Sequence, residues 1–328
     1  MGIFPKLDQP TIENMHRFVF LLLFLVCACQ PSATEEKPKL ENLTDFIKQP
    51  QATSLLGEPL YAAEPSEALI ERYLKRKATY QEDSTQIDNI IWMGRFTAYM
   101  GNYEEAIRIY SQGLKRYPRQ ARLYRHRGHR YISTRQLDKA IEDFKKAEAL
   151  TEGTVNQFEP DGMPNARNIP VSTLHGNIYY HLGLAYYLKQ DMPNALDAYQ
   201  KCLATSTMPD NVVSATHWLY MIARRMGEEE QANLYLKDIT ADMDIIENMA
   251  YHQACLFYKG EIEEAALGDQ GDAPANDALA YAIANWYQYN GDIAAAKERL
   301  AAILEKDSWA AFGYIAAESD WAELERGE

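Results

Sequence analysis

The stretch RQARLYRHRGHR, residues 119–130, contains side chains that could do chemistry. His126 and His129 are three positions apart, which places both imidazoles on one side of a predicted helix, where they could hold a metal ion. Arginines surround them, however, and no carboxylate is near them in the sequence. Because positive charge disfavours a bound cation, we expect no metal site here. The two histidines should either be structural or supply polar atoms to a binding groove.

The rest of the chain contains few patterns typical of enzymes. It has no G-x-S-x-G, no P-loop, no H-E-x-x-H and no C-x-x-C. The remaining histidines of the predicted helices are scattered over different helices. The sequence therefore favours a binding protein without a cofactor over an enzyme.

Charge is distributed unevenly along the chain. From Lys115 to Arg135 there are eight Lys or Arg residues and no Asp or Glu, yet the whole chain has 33 basic and 47 acidic residues, a net charge of −14. A short basic stretch can indicate nucleic-acid binding. The overall acidity and the export signal described next argue against that partner.

The N-terminal region is typical of an export signal. His16 and Arg17 precede the apolar run FVFLLLFLVCA, whose eleven residues are too few to cross a bilayer core of about 30 Å. The run has the length and flanks of a secretory h-region. We therefore expect residues 1–28 to be a signal peptide, with Met15 as an alternative start.

The end of this run, LVCAC, resembles the lipobox of bacterial lipoproteins. The resemblance implies that Cys29 is diacylated, becomes the first mature residue and anchors the protein in the bacterial envelope. Gln30 is not an inner-membrane retention signal of the Asp type, which favours the outer membrane. The alternative is an ordinary signal peptide with a chance cysteine.

Two cysteines remain in the mature chain. Cys202 and Cys255 are 53 positions apart in separate predicted helices. We expect two separate buried thiols, although a disulfide is chemically possible in an oxidising compartment.

The segment from residue 29 to 64 is rich in Pro, Glu, Ser and Thr and poor in aromatic residues. Such a composition rarely buries enough apolar surface to fold. It predicts a mostly flexible tether between the lipid and the folded region.

The folded region repeats itself with a period of 34 residues. Gly94 and Gly128 are separated by this distance, and the same spacing relates Ala106 to Ala140, Tyr110 to Phe144 and Gly113 to Ala147. Three segments resemble the second half of a tetratricopeptide repeat: GNYEEAIRIYSQGLKRYP, RQLDKAIEDFKKAEAL and QDMPNALDAYQKCL. The resemblance is strong over residues 87–204 and continues with less regular spacing.

The resemblance implies an all-α fold. Residues 65–328 should form one α-solenoid of helix-turn-helix repeats, with five to six helix pairs and flanking helices, and no sheet between about 66 and 322. Each repeat buries its apolar face against its neighbours, which favours one continuous array over two domains.

One interruption breaks the period. Gly128 and Gly183 are 55 positions apart, and the excess lies in TEGTVNQFEPDGMPNARNIPVS. This composition predicts an inserted loop near residues 151–173. Long irregular loops in compact arrays are often functional, and the alternative is a passive surface excursion.

In tetratricopeptide families one stripe of each first helix lines a concave groove. Mapped onto this chain, the stripe contains Arg95, Tyr99, Arg122, Arg125, His129, Tyr180, Tyr187, Arg224 and Arg225. Arginine forks bind carboxylates and tyrosine rings offer apolar area, so the groove would hold an acidic protein or peptide segment with apolar anchors. Alternatively, Arg122 and Arg125 pair with acids of adjoining repeats, such as Asp88.

Two functions remain open on the sequence. The first is a membrane-anchored, non-catalytic scaffold that binds a protein or peptide partner in its groove. The second is an enzyme or small-ligand receptor with a site between the groove and the loop at 151–171. A compact pocket with convergent polar groups would favour the second function.

Overall fold

The structure is a computed structural model that describes residues 43–267 and 273–326. In the second range, side chains are described from residue 276 onward. Helices make up most of the described structure. In chain order the α-helices are α1 Glu67–Glu82, α2 Ile87–Tyr99, α3 Tyr103–Arg116, α4 Ala121–Ser133, α5 Leu137–Thr151, α6 Leu174–Leu188, α7 Met192–Ala204, α8 Pro209–Arg225, α9 Glu229–Tyr235, α10 Met249–Tyr258, α11 Ala273–Tyr289, α12 Ile293–Leu304 and α13 Phe312–Arg326. Short 3-10 helices cover Asp45–Lys48, Leu236–Asp238 and Glu264–Ala266. In this part of the chain no helix is both long and apolar enough to cross a bilayer.

Five helix hairpins form the array. Helices α2 and α3, α4 and α5, α6 and α7, α8 and α9, and α11 and α12 pack as sequential pairs, and α10 stands between the last two pairs. Local sequence sets several of the helix starts, because Asn102, Asp191 and Asp292 each accept a hydrogen bond from a backbone N–H of the first turn. The all-α solenoid expected from the period is confirmed.

Small residues at the helix crossings explain the period. A Cβ atom built on Gly128 would lie 2.9 Å from Phe144 Cζ, and one built on Gly183 would lie 2.6 Å from Tyr199 Cδ2. Gly94 faces Tyr110 in the same way. Each glycine lets an aromatic ring of the second helix fill the space between the two helices, so the repeat register is confirmed.

The sequence-based prediction of a flexible tether differs from the structure over residues 43–64. Strands β1 (Pro50–Thr53) and β2 (Pro59–Tyr61) form an antiparallel hairpin in which Ala52 pairs with Leu60. Leu60 and Gln51 are buried, and Gln51 Oε1 accepts a hydrogen bond from Tyr103 N. The remainder of the predicted tether, together with the signal peptide and Cys29, lies outside the described residues.

The C-terminal helix α13 packs on both the last hairpin and the middle of the array. Its residues 313–320 are all buried, and it packs on α11, α12 and α6. Glu318 Oε2 accepts from Leu55 N at 3.2 Å, and Trp309 Nε1, just before α13, donates to Tyr61 O at 2.6 Å. The hairpin near the N-terminus is therefore held by residues more than two hundred positions away, which its composition could not reveal.

Candidate functional site

The inserted loop lies against the stripe that the sequence assigns to the groove. It runs from the end of α5 to the start of α6, and its Glu159 is only 6% exposed. One oxygen of this carboxylate, Oε2, lies 3.0 Å from Arg125 Nε and accepts from Asn177 Nδ2 at 2.6 Å. The neighbouring Pro160 O accepts from Arg95 Nη1 at 2.6 Å. Two predicted groove arginines thus hold the chain's own loop.

The charge state of this contact follows from burial. Burial lowers the pKa of Arg125, and the carboxylate of Glu159 opposes that change. Burial and the adjacent Arg125 hold the pKa of His126 well below its usual range. His126 is therefore neutral at neutral pH, and its 3.6 Å approach to Glu159 Oε1 is not an ion pair there. The pair that fixes the loop is Arg125 with Glu159.

The other end of the predicted groove is occupied by α13. Arg225 Nη1 lies 2.6 Å from Asp320 Oδ1, which is fully buried, and it also donates to the Tyr187 hydroxyl at 2.9 Å. Tyr187 is likewise fully buried, against Tyr281. The expectation that Arg225 and Tyr187 line an open groove is therefore wrong, because the C-terminal helix covers them.

Arg122 and Arg224, two further residues of the predicted groove stripe, pair with acids of the chain itself. Arg122 pairs with Asp88 at 2.7 Å, as the alternative interpretation of the sequence predicts. Arg224 lies 3.2 Å from Glu229 Oε1 and stacks over the Tyr289 ring at 4.8 Å. Both arginines are already engaged by the chain's own side chains.

The remaining predicted groove residues lie in an aromatic cluster and beside the loop. The rings of His129 and His181 are 4.4 Å apart, and both rings contact Phe312. Burial lowers the pKa of His181 to about 3 and that of His129 well below its usual range, so both are neutral. Tyr99 accepts hydrogen bonds from Arg95. The described residues contain no group of three metal-binding side chains.

A surface of which the sequence indicated only Arg95 lies where α1, α2 and the loop meet. The guanidinium of Arg76 lies 4.6 Å from the centre of the Trp92 ring, and the guanidinium of Arg95 lies 4.5 Å from it. Arg72 donates to Gly162 O at 2.6 Å. We call Arg72, Arg76, Trp92 and Arg95 the arginine–tryptophan patch. The spacing of Arg72 and Arg76 places both on one face of α1, but the repeat period says nothing about where that helix lies.

The patch is cationic and adjoins a cavity. None of its three arginines forms an ion pair with a carboxylate of the described residues; their contacts are carbonyl, sulfur, hydroxyl and aromatic groups. A cavity of about 280 Å³ lies beside Trp92, but its lining includes the carboxylates of Asp88 and Glu159 and only one arginine, Arg122, which pairs with Asp88. The guanidinium groups of the patch, and not this cavity, could therefore receive an anion next to the apolar surface of Phe158.

A second cavity, of about 240 Å³, lies at the base of the loop between α6, α8 and the start of α10. We call it the loop-base pocket. Its lining includes Tyr180, Tyr251 and Phe312, which form aromatic walls, and Glu247 at its rim. The two tyrosine hydroxyls are 2.9 Å apart, and Trp218 Nε1 donates to Tyr180. This is the compact polar pocket that the alternative function requires.

Cys202 and Cys255 are separate buried thiols, as the sequence predicts. Burial raises the pKa of Cys202 to about 12 and raises that of Cys255 as well. Both thiols are therefore protonated and unreactive at neutral pH.

Comparison with known proteins identifies the repeats. Tetratricopeptide repeat models match residues 98–153 and 176–206. No curated protein sequence matches the chain.

Three solved structures illustrate the similarity. MamA is 17% identical, with 58% of this chain and 90% of that chain covered and a TM-score of 0.40. YrrB, described as a TPR protein with an unusual peptide-binding site, is 16% identical, with 77% and 98% covered and a TM-score of 0.40. A tetratricopeptide repeat protein from Parabacteroides merdae is 14% identical, with 76% and 92% covered and a TM-score of 0.46.

The helix hairpins, the glycine–aromatic crossings and the two matched segments agree with one another. This chain therefore carries tetratricopeptide repeats within an all-α solenoid.

Proposed function

We propose that this protein is a membrane-anchored, non-catalytic scaffold that binds an acidic segment of a partner protein at the arginine–tryptophan patch. The observation that carries the proposal is that none of the three patch arginines forms an ion pair among the described residues, in a chain with a net charge of −14; Arg95 has only the longer-range attraction of Asp161. The guanidinium groups of the patch are therefore open to the acidic groups of another molecule.

Acidic groups suit the patch because guanidinium forks bind carboxylates bidentately. The chain itself pairs arginines with carboxylates, since Arg125 lies against Glu159 and Arg225 donates to Asp320. Those inner arginines are covered by the loop and by α13, so the partner engages the patch and not the interior of the groove.

The loop supplies apolar anchors beside the charges. Phe158 is 52% exposed and Met163 is 58% exposed, and Val155 is 83% exposed nearby in the sequence. Because Glu159, Pro160 and Gly162 are held by arginines, these apolar side chains are presented on a fixed backbone. A rigid apolar surface next to charge is typical of protein-binding sites.

The membrane anchor is the part of the proposal that rests on sequence. The lipobox-like LVCAC assigns the lipid to Cys29. A lipid there would attach the scaffold to the bacterial envelope, at the outer membrane according to the residue that follows. The absence of catalytic motifs supports a binding role.

A defined peptide tests the site. The probe is a short fluorescein-labelled peptide that alternates Glu with Phe, compared with one in which Gln replaces each Glu. Fluorescence anisotropy should show binding of the Glu peptide alone, and the affinity should fall as salt is raised, because part of the attraction is screened.

Variants localise the binding. Arg76→Glu removes no hydrogen bond among the residues that the structure describes, where Arg76 lies over the Trp92 and Phe96 rings, and it should abolish binding when combined with Arg72→Glu. Arg116→Glu is the matched control, an exposed arginine near the ring of Tyr117 on another surface, and it should bind as wild type does. Equal binding by the double variant, or equal affinity for the Gln peptide, contradicts the proposal.

A further inference from the structure

We propose that the loop-base pocket binds a small organic ammonium ion. The pocket is separate from the arginine–tryptophan patch, and this inference does not depend on the scaffold function. Its lining combines the carboxylate of Glu247, the rings of Tyr180, Tyr251 and Phe312, and several polar groups whose protons are already used. Aromatic faces and a carboxylate together are suited to an organic cation.

The amide side chains of the lining leave acceptors for a ligand. Asn211 Nδ2 donates to Val171 O at 2.6 Å, Asn248 Nδ2 donates to Asp210 O at 3.0 Å, and Asn177 Nδ2 donates to Glu159 Oε2. Each amide orientation is fixed by its acceptor partner, because only the nitrogen can donate to a carbonyl or carboxylate oxygen. The three amide oxygens are therefore available as acceptors, beside the second N–H of each amide.

The hydroxyl and imidazole groups follow the same pattern. Ser206 and Thr205 donate to Cys202 O, and Ser214 donates to Asn211 O. The neutral His181 donates from Nδ1 to Asn177 O, which leaves Nε2 as an acceptor. The free amide oxygens and His181 Nε2, together with the carboxylate of Glu247, suit a ligand with several N–H donors, which describes an ammonium group.

The local charge favours a cation as well. At neutral pH Glu247 is the one charged group among the lining residues, since His181 and Cys202 are neutral. Its contact is the neutral amide of Asn165, which donates to Oε1 at 2.6 Å. Partial desolvation raises the pKa of Glu247, and the negative potential of the nearby carboxylates of Asp161 and Asp210 adds to this shift. In this part of the described chain, no arginine or lysine pairs with Glu247.

The volume limits the ligand. The cavity has a volume of about 240 Å³. A short primary amine fits this space, whether it is a free molecule or the side chain of a partner's lysine. A folded peptide segment does not.

Binding to the full detergent-solubilised protein is measured by isothermal titration calorimetry with n-butylammonium as the probe. The uncharged isostere 1-butanol and potassium ion are the matched ligands, and neither should bind. Binding of 1-butanol as strong as that of n-butylammonium would overturn the proposal on the wild-type protein alone. Potassium binding that displaces the amine would identify an inorganic cation site and overturn it as well.

Variants locate the ammonium group. Glu247→Gln keeps an acceptor for Asn165 and should weaken n-butylammonium binding about tenfold or more, as expected for loss of a charge-assisted contact. Asp244→Asn is the control, a carboxylate 71% exposed that pairs with Arg167 outside the pocket, and it should leave the affinity unchanged. Unchanged affinity in Glu247→Gln refutes the site. An acetylated Gly-Lys-Gly amide distinguishes a free amine from the lysine side chain of a partner protein. If this peptide displaces n-butylammonium, the pocket is assigned to a partner's lysine.

Discussion

Arg125 and Glu159 form a buried ion pair, 3.0 Å between Nε and Oε2, that fastens the inserted loop to α4. Both side chains are nearly inaccessible, at 11% and 7% exposure. A pair of this kind is costly to break because the remaining charge stays buried.

We therefore predict that Glu159→Ala lowers the free energy of unfolding by about 3–5 kcal/mol, as is typical when one partner of a buried ion pair is removed. Urea denaturation followed by circular dichroism measures the change. Asp88→Ala is the control, because Asp88 is 68% exposed in its pair with Arg122, and it should cost no more than about 1 kcal/mol. Equal effects of the two substitutions would show that the loop is not fastened by this pair.

The crossing of α4 and α5 permits a test of the repeat register. Gly128→Leu introduces a side chain where even a Cβ would lie 2.9 Å from Phe144 Cζ, and overpacking of this kind costs about 1–3 kcal/mol or more. Thermal unfolding should show a lower melting temperature. Gln112→Leu adds a similar side chain at an exposed position of α3 and should leave the melting temperature nearly unchanged. A Gly128→Leu protein as stable as wild type would exclude the glycine–aromatic crossing.

Buried neutral histidines predict a loss of stability in mild acid. Burial lowers the pKa of His181 and His217 to about 3, and it also depresses those of His126 and His129. Because the unfolded chain takes up these protons near pH 6.5 and the folded chain does not, stability is full above that pH. It should fall as the pH decreases from about 6.5 toward 3.

The substitution His217→Phe removes one of these four titrating groups and so measures its contribution. His217 stacks on Tyr258, and its Nε2 is buried without a hydrogen bond, so Phe preserves much of the packing. The slope of unfolding free energy against pH should decrease by about 1.4 kcal/mol per pH unit between pH 6 and 4. Urea titrations at several pH values measure it. His175→Gln, at a more accessible site, should change the slope less, and an unchanged slope in His217→Phe would contradict the interpretation.

The lipid anchor is tested at Cys29. Cys29→Ala should release the protein from the membrane fraction or leave its precursor unprocessed, because the acylated thiol is the proposed attachment. Fractionation and gel mobility measure both effects. Cys27→Ala is the matched control and should be processed normally. Unchanged fractionation of Cys29→Ala would exclude lipidation at this residue.

The sequence by itself determined the parts of the fold that depend on local spacing. A period of 34 residues marks the positions where two helices must approach closely, so Gly94, Gly128 and Gly183 identified the hairpins and their register. The break in the period located the loop near 151–173, and the prediction of two separate buried thiols at Cys202 and Cys255 is confirmed. These features depend only on contacts between segments that are neighbours in the sequence.

Only the tertiary structure decided what covers the groove. Helical phase placed Arg125 and Arg225 on one stripe, but it could not choose between a partner and the chain's own acids. Their acids, Glu159 and Asp320, are 34 and 95 positions away, and residues 50–61 fold because Tyr103 and Trp309 hold them. A buried charge pairs with whichever opposite charge the completed chain brings to it, and local periodicity does not contain that information.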